Sequence, residues 1–150
     1  VYFPVTYRNL KLCVREDHPL AKRDHVSFSE IAKMNLSTYR RGAPIGEMVN
    51  KLLADNGLED VKQIYYDDVS MGSFISFNSP DYGAIMLDSL GARLFKNIKF
   101  VSIDEVPEGF YRIHMVYNKK HNHSRAVKDF IQFVHTYKGN DTFEDEEIPE

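Results

Sequence analysis

Leu36-Ser37-Thr38-Tyr39-Arg40-Arg41-Gly42-Ala43-Pro44-Ile45 reads as the end of a strand turning into the start of a helix. Leu36 to Tyr39 has the length of a brief strand. Beyond it Ile45, Met48, Val49, Leu52 and Leu53 recur at the spacing of one face of a 3.6-residue period. Pro44 suits the first helical turn, where a missing N–H leaves no bond unmade, and Gly57 suits the stop. A strand feeding directly into an amphipathic helix is the repeating unit of an α/β fold.

The alternation continues on both sides. Upstream, Leu10, Leu12 and Val14 alternate with Lys11, Cys13 and Arg15, the period-two pattern of a half-buried strand. Ser27 and Glu30 form a capping box, and Val26 with Ile31 supplies a hydrophobic staple, so a short helix is predicted from Phe28 to Met34. Downstream, Val61 to Tyr66 is β-rich. Asp67 or Asp68 can cap a third helix carrying Met71, Phe74 and Ile75, closed by Pro80. Gly83-Ala84-Ile85-Met86-Leu87 is a continuous apolar run suited to a central parallel strand. Two more strands, Ile98 to Ile103 and Phe110 to Tyr117, precede a last helix that opens near Ser124 and aligns Val127, Phe130, Ile131 and Val134. Short connections between alternating elements predict a three-layer αβα open sheet with helices on both faces.

The 150 residues are the length of one domain, and 43% hydrophobic with 27% charged residues is the mix of a chain that buries a core. No apolar run approaches the ~20 residues needed to cross a bilayer, which excludes a transmembrane helix. Val1-Tyr2-Phe3-Pro4-Val5 is too short, and lacks the basic flank, for a secretory signal. It looks like a strand without an initiator methionine, so the chain is expected to be a piece of a longer protein. Cys13 is the single cysteine, which points to a reducing, cytoplasmic setting and leaves no disulfide framework. The formal charge of -3 is unevenly spread: residues 139–150 carry Asp141, Glu144, Asp145, Glu146, Glu147 and Glu150 and no base. With those six set aside, 19 basic residues face 16 acidic ones, too mild an excess for a nucleic-acid-binding face. Residues 1–138 are therefore expected to form an α/β domain and 139–150 a solvated, disordered acidic tail.

No enzyme constellation is present: no Gly-x-Gly-x-x-Gly, no phosphate loop, no His-Glu-x-x-His and no Gly-x-Ser-x-Gly. No catalytic residue and no cofactor is expected. His121 and His123 with His114 could be pictured as a metal site, but a solvated loop is the simpler reading and no metal is expected. The strand-to-helix corner is more suggestive. Helix N-termini offer free N–H groups to anions, and open α/β sheets bind ligands at the carboxyl ends of their strands. Ser37, Thr38, Tyr39, Arg40, Arg41 and Gly42, with Met86 from a neighbouring strand as an apolar wall, are the expected small-anion-binding residues. The alternative is that Arg40 and Arg41 merely solvate a turn.

The order of motifs then resembles LysR-type transcriptional regulators. Leu10-Lys11-Leu12-Cys13-Val14-Arg15-Glu16-Asp17-His18-Pro19-Leu20-Ala21 looks like that family's strand and His-Pro-Leu-Ala turn, and Val26-Ser27-Phe28-Ser29-Glu30-Ile31 like its following helix start. Asp81-Tyr82-Gly83-Ala84-Ile85-Met86-Leu87 is similar to the family's "G-x-G-i-a-x-l-P", and Ser124 to Ile131 to its "s-x-a-x-x-x-F-i". The likeness runs over about residues 8–137, with Asp81 in place of the first glycine and Asp88 in place of the usual proline. It implies the second lobe, plus the returning C-terminal helix, of a two-lobed domain resembling type 2 periplasmic binding proteins. Such a domain closes on a small organic anion and, as a homodimer or homo-oligomer, controls DNA binding through an N-terminal helix-turn-helix that these residues lack. A transport-type solute-binding protein of the same architecture is the alternative, and an enzyme on this fold is disfavoured. Sequence upstream of Val1 separates the three. The final helix, facing an absent first lobe, is expected to favour self-association.

Overall fold

The computed structural model describes residues 1–137, so the expected acidic tail, 139–150, lies outside the described residues. The described chain divides into two units, one formed by Asn9–Tyr111 and the other by Val1–Arg8 with residues 112–137.

The larger unit contains β2 (Leu10–Arg15), β3 (His25–Val26), α1 (Phe28–Ile31), β4 (Asn35–Tyr39), α2 (Pro44–Asp55), β5 (Lys62–Tyr65), α3 (Asp68–Phe77), β6 (Tyr82–Leu87) and β7 (Ile98–Ile103). Their six strands pair in the order β3-β7-β2-β6-β4-β5. β4 runs parallel to both β5 and β6, and β3 runs parallel to β7. β2 alone is antiparallel, to β6 on one side and β7 on the other. The sheet is therefore mixed. β6 is central as its apolar run predicts, but parallel on its β4 side only.

The connections place helices on both faces. The chain steps outward from β4 to β5 through α2, then back past β4 to β6 through α3. Right-handed crossovers in opposite directions put α2 and α3 on opposite sides of the sheet. The local signals explain where each helix starts. Ser27 accepts from the Glu30 N–H while the Glu30 carboxylate accepts from the Ser27 N–H, completing the capping box. α1 is nevertheless one turn long and ends at Ile31, short of the expected Met34. Asp67, not Asp68, caps α3 through the Ser70 N–H at 2.8 Å.

The core joins strands of the six-stranded sheet to α1, α2 and α3. Leu12, Cys13, Val14, Val26, Ile31, Val49, Met71, Ile75, Ala84, Ile85 and Met86 are fully buried. Each large aliphatic side chain so placed contributes about 1.5–3 kcal/mol relative to exposure. Cys13 is buried although its neighbours on the alternating pattern are polar, because β2 is an inner strand between β6 and β7 with α3 packed on it. Burial first, and the nearby charge of Asp88 second, push its thiol up to about 12, so it is an inert core residue.

In the smaller unit β1 (Tyr2–Arg8) pairs with β8 (Tyr111–Val116) in a two-stranded sheet, and α4 (Arg125–Thr136) follows. The strand expected at Phe110 to Tyr117 thus forms, in a sheet of its own. Val1 N donates to Tyr117 O and Tyr117 N to Val1 O, both at 3.0 Å, closing the end of that ladder. Phe3 stacks on His135 with ring centroids 4.1 Å apart, and Tyr2 meets His114 edge-on at 5.6 Å. Ser124 caps α4 as expected. No residue of α4 is buried: Val127 and Phe130 are exposed, Ile131 and Val134 half-exposed.

Candidate functional site

The parallel strands β4, β5 and β6 end at Tyr39, Tyr65 and Leu87, and the carboxyl end of each leads into a helical start. Their ends share one edge of the sheet, the position at which open α/β folds bind ligands. The β4–α2 corner is tightly built. Arg40 N donates to Tyr65 O at 2.8 Å, and Asn50 Nδ2 donates to Tyr39 O and Gly46 O at 3.1 and 2.7 Å. A Cβ at Gly46 would stand 2.0 Å from the Arg40 carbonyl oxygen, so only glycine lets α2 start this close to the loop. Gly42 turns the chain with φ +90°, a conformation that side chains disfavour.

The seven residues anticipated here meet at this corner or in the strands beneath it, but their functional groups divide into two layers. Ser37 and Thr38 are buried, and their hydroxyls donate to Gly83 O at 3.4 Å and Ile85 O at 2.7 Å. Each hydroxyl proton thus ties β4 to β6, and neither is turned to solvent for a carboxylate. Tyr39 is also buried. Its hydroxyl donates to the Asp68 carboxylate and accepts from Leu87 N–H at 2.9 Å, bridging β4, α3 and β6. Burial, then the Asp68 charge, raises its pKa far above the ordinary phenol value, so it stays a neutral donor. Met86 is fully buried in the core, so the surface it offers faces neighbouring side chains.

Arg40, Arg41 and Gly42 form the outer layer, and all three are exposed. The Arg40 guanidinium lies 4.4 Å from the Tyr66 ring centroid, a cation–π contact, and Arg41 Nε donates to Gln63 Oε1 at 2.7 Å. Both cations are thus steered toward β5. The Gly42 N–H is taken by the Glu47 carboxylate at 2.8 Å. A residue from the first turn of α2 thereby supplies the negative charge that a helix start attracts.

Sequence reasoning missed Glu47 and Asp68. Glu47 sits in the acidic first turn of a helix whose N-cap, Ala43, has no side-chain acceptor, and that deficit was the available signal. Asp68 is read from the sequence only as a candidate helix cap, and its contact with Tyr39, 29 residues away, has no local signal. Asp88, noted only as a departure from the family's proline, is a third carboxylate at this edge. It binds Arg93 through Nε and Nη2 at 2.6 and 2.7 Å and lies 3.3 Å from Lys11 Nζ. Burial acts to raise its pKa, but the Arg93 hydrogen bonds and the charges of Arg93 and Lys11 outweigh it and hold the carboxyl below its usual range.

A cavity of about 280 Å³ lies farther along the same edge, at the end of β7, lined by residues that include Asn9, Lys11, His25, Asp104 and Glu108. His25 Nδ1 is 3.3 Å from Asp104. Its two carboxylates make it a poorer anion site than the β4–α2 corner. Among the described residues no group of three His, Cys, Asp or Glu side chains is placed to hold a metal, although the rings of His121 and His123 touch at 5.1 Å.

The comparisons with known proteins agree on the architecture. The effector binding domain of QuiR in complex with shikimate is 25% identical and superposes with a TM-score of 0.66, over 89% of this chain and 63% of that one. The Synechocystis PCC6803 CcmR regulatory domain in complex with 2-PG is 16% identical, with a TM-score of 0.67 over 89% and 64%. CbnR, a LysR family transcriptional regulator, is 16% identical, with a TM-score of 0.70 over 90% of this chain and 46% of that one. The chain thus spans less than two thirds of each. No curated protein matches it. The LysR substrate binding domain matches residues 1–138, nearly the whole chain. The chain belongs to the LysR substrate binding domain family.

Proposed function

We propose that this chain is the metabolite-sensing part of a LysR-type transcriptional regulator, and that its effector is a small organic anion bound at the β4–α2 corner. The observation that carries the anion reading is the Glu47 carboxylate on the Gly42 N–H. It is a built-in carboxylate at a helix start, flanked in sequence by two exposed guanidiniums. An effector carboxylate competes for the same amide and gains charge-assisted bonds from Arg40 and Arg41, which swing from Tyr66 and Gln63. Ser37, Thr38, Tyr39 and Met86 act from below: their bonds and packing set the loop's position. Arg40, Arg41 and Gly42 touch the ligand.

The neighbours support a sensing role, since one is a complex with shikimate and another a complex with 2-PG. Ligand binding at the edge shifts the population between open and closed arrangements of the domain. DNA contact is assigned to a helix-turn-helix outside these residues, in a cytoplasmic homodimer or homo-oligomer, and catalysis to none of the residues here. No helix among the described residues is long and apolar enough to cross a membrane.

Titration calorimetry with a panel of small carboxylates led by shikimate, against uncharged sugars, tests the reading. Carboxylates should release or absorb heat saturably and sugars should not. Saturable sugar binding with no carboxylate response would overturn it.

A further inference from the structure

Two strands across the sheet from the β4–α2 corner, a cavity of about 380 Å³ opens between β2, β7 and the turn that joins β6 to β7. Its lining residues include Lys11, Arg93, Phe95, Lys96, Lys99 and Phe100, and no carboxylate. We infer that this cavity is a second ligand site, for an organic polyanion with a flat apolar body.

Three features lead to that class. The first is uncompensated charge. Asp88, behind the wall, neutralises one of the four cations, binding Arg93 through Nε and Nη2 and pairing with Lys11. Arg93 Nη1 keeps its protons, and among the described residues Lys96 and Lys99 have no carboxylate within ion-pair distance. Like charges held together cost free energy that a multivalent anion recovers.

The second is preorganisation. The bidentate Asp88 contact fixes the Arg93 guanidinium, which stands 5.9 Å from the Phe100 ring centroid. Phe95 is packed so closely on α3 that a Cβ at Gly72 would approach its ring to 3.0 Å, and Phe77 meets it edge-on at 6.4 Å. A wall held in advance loses little freedom when a ligand arrives.

The third is shape and surface. The volume falls within the ~300–1,000 Å³ typical of small-molecule sites, and half-buried rings provide a surface on which a flat body stacks. A simple inorganic anion would leave those rings unused. This site shares no residue with the β4–α2 corner, so the two readings stand or fall separately.

The test uses benzene-1,3,5-tricarboxylate and propane-1,2,3-tricarboxylate as probes of equal charge, titrated into the full protein by calorimetry. The aromatic trianion should bind several-fold more tightly than the aliphatic one. Reversing two cations in Lys96→Glu/Lys99→Glu should weaken it about tenfold or more. Phe100→Leu should bring the two probes level, and the preference for the aromatic trianion should persist in Arg40→Ala, which removes only carboxylate binding at the β4–α2 corner. Both lysines are exposed, so the variants are expected to fold. The milder Lys96→Gln, predicted to lose less affinity in the same direction, repeats the test should the double reversal melt early. Equal binding of the two probes by the unaltered protein, or affinity unchanged in the lysine variants, would overturn the proposal.

Discussion

β2 and α4 carry comparable runs of apolar residues, yet they differ completely in what they bury. Leu12, Cys13 and Val14 of β2 are sealed between β6 and β7, with α3 packed against the strand. All twelve residues of α4 keep solvent contact, and Phe130 remains 58% exposed. Apolar periodicity in a sequence thus identifies a face and not its cover. For β2 the cover comes from β6 and β7 within its own unit, although they lie far along the chain. For α4 no described residue of its unit buries that face.

Truncations of equal chemistry sharpen the comparison most. Ile85→Ala in β6 should cost about 2–5 kcal/mol, as expected for deleting a fully buried aliphatic side chain. Phe130→Ala in α4 should change thermal stability by less than about 1 kcal/mol, far below the loss for a buried phenylalanine. Urea titrations of both variants compare the two directly. Equal losses would mean that α4 is covered in solution, by self-association for example, which light scattering would then reveal.

A smaller effect probes the polar layer of the core. Tyr39→Phe removes the donor to Asp68 and the acceptor for Leu87 N–H, leaving both short of a partner, at about 1–3 kcal/mol. Amide exchange should speed up at Leu87 while the β1–β8 pair, in the other unit, is unaffected. A change that spreads evenly over both units would break the division drawn here.

The dependence on pH has a definite sign. Asp88 is held below its unfolded value in the native chain, so its contribution is fully present above the ordinary carboxylate pKa of about 4 and is lost as pH falls through the folded value. Melting of the larger unit should therefore decline toward acid, and Asp88→Asn should flatten the part of that decline contributed by this group. An acid limb of the same steepness in Asp88→Asn would remove Asp88 from the account.

Much of this was legible in the sequence because the signals were local. Ser27 with Glu30, Pro44 after Ala43, and Asp67 before Ser70 each act within one helical turn, and each helix begins where they say. The family likeness rested on the same short-range order. What the sequence withheld depends on pairing across long separations. The antiparallel placement of β2 between β6 and β7 cannot be read from its own alternation. The hydroxyls of Ser37 and Thr38 look available beside two arginines, but their partners are carbonyls 46 and 47 residues away. Met86 suffered the same fate: a place near a strand end says nothing about which side of the sheet its side chain fills.

The smallest structural change bears on the largest claim. Glu47→Gln removes the built-in negative charge from the Gly42 amide while altering stability by no more than about 1 kcal/mol, since the pair is exposed. If an effector anion competes for that amide, the variant should bind shikimate, used as the carboxylate probe, more tightly than the unaltered protein. Arg40→Ala, at the same corner, should bind it more weakly. Opposite shifts of several-fold, measured by titration calorimetry on the two variants side by side, are the predicted result. Identical affinities in both variants and the unaltered protein would contradict the assignment of the effector to the β4–α2 corner.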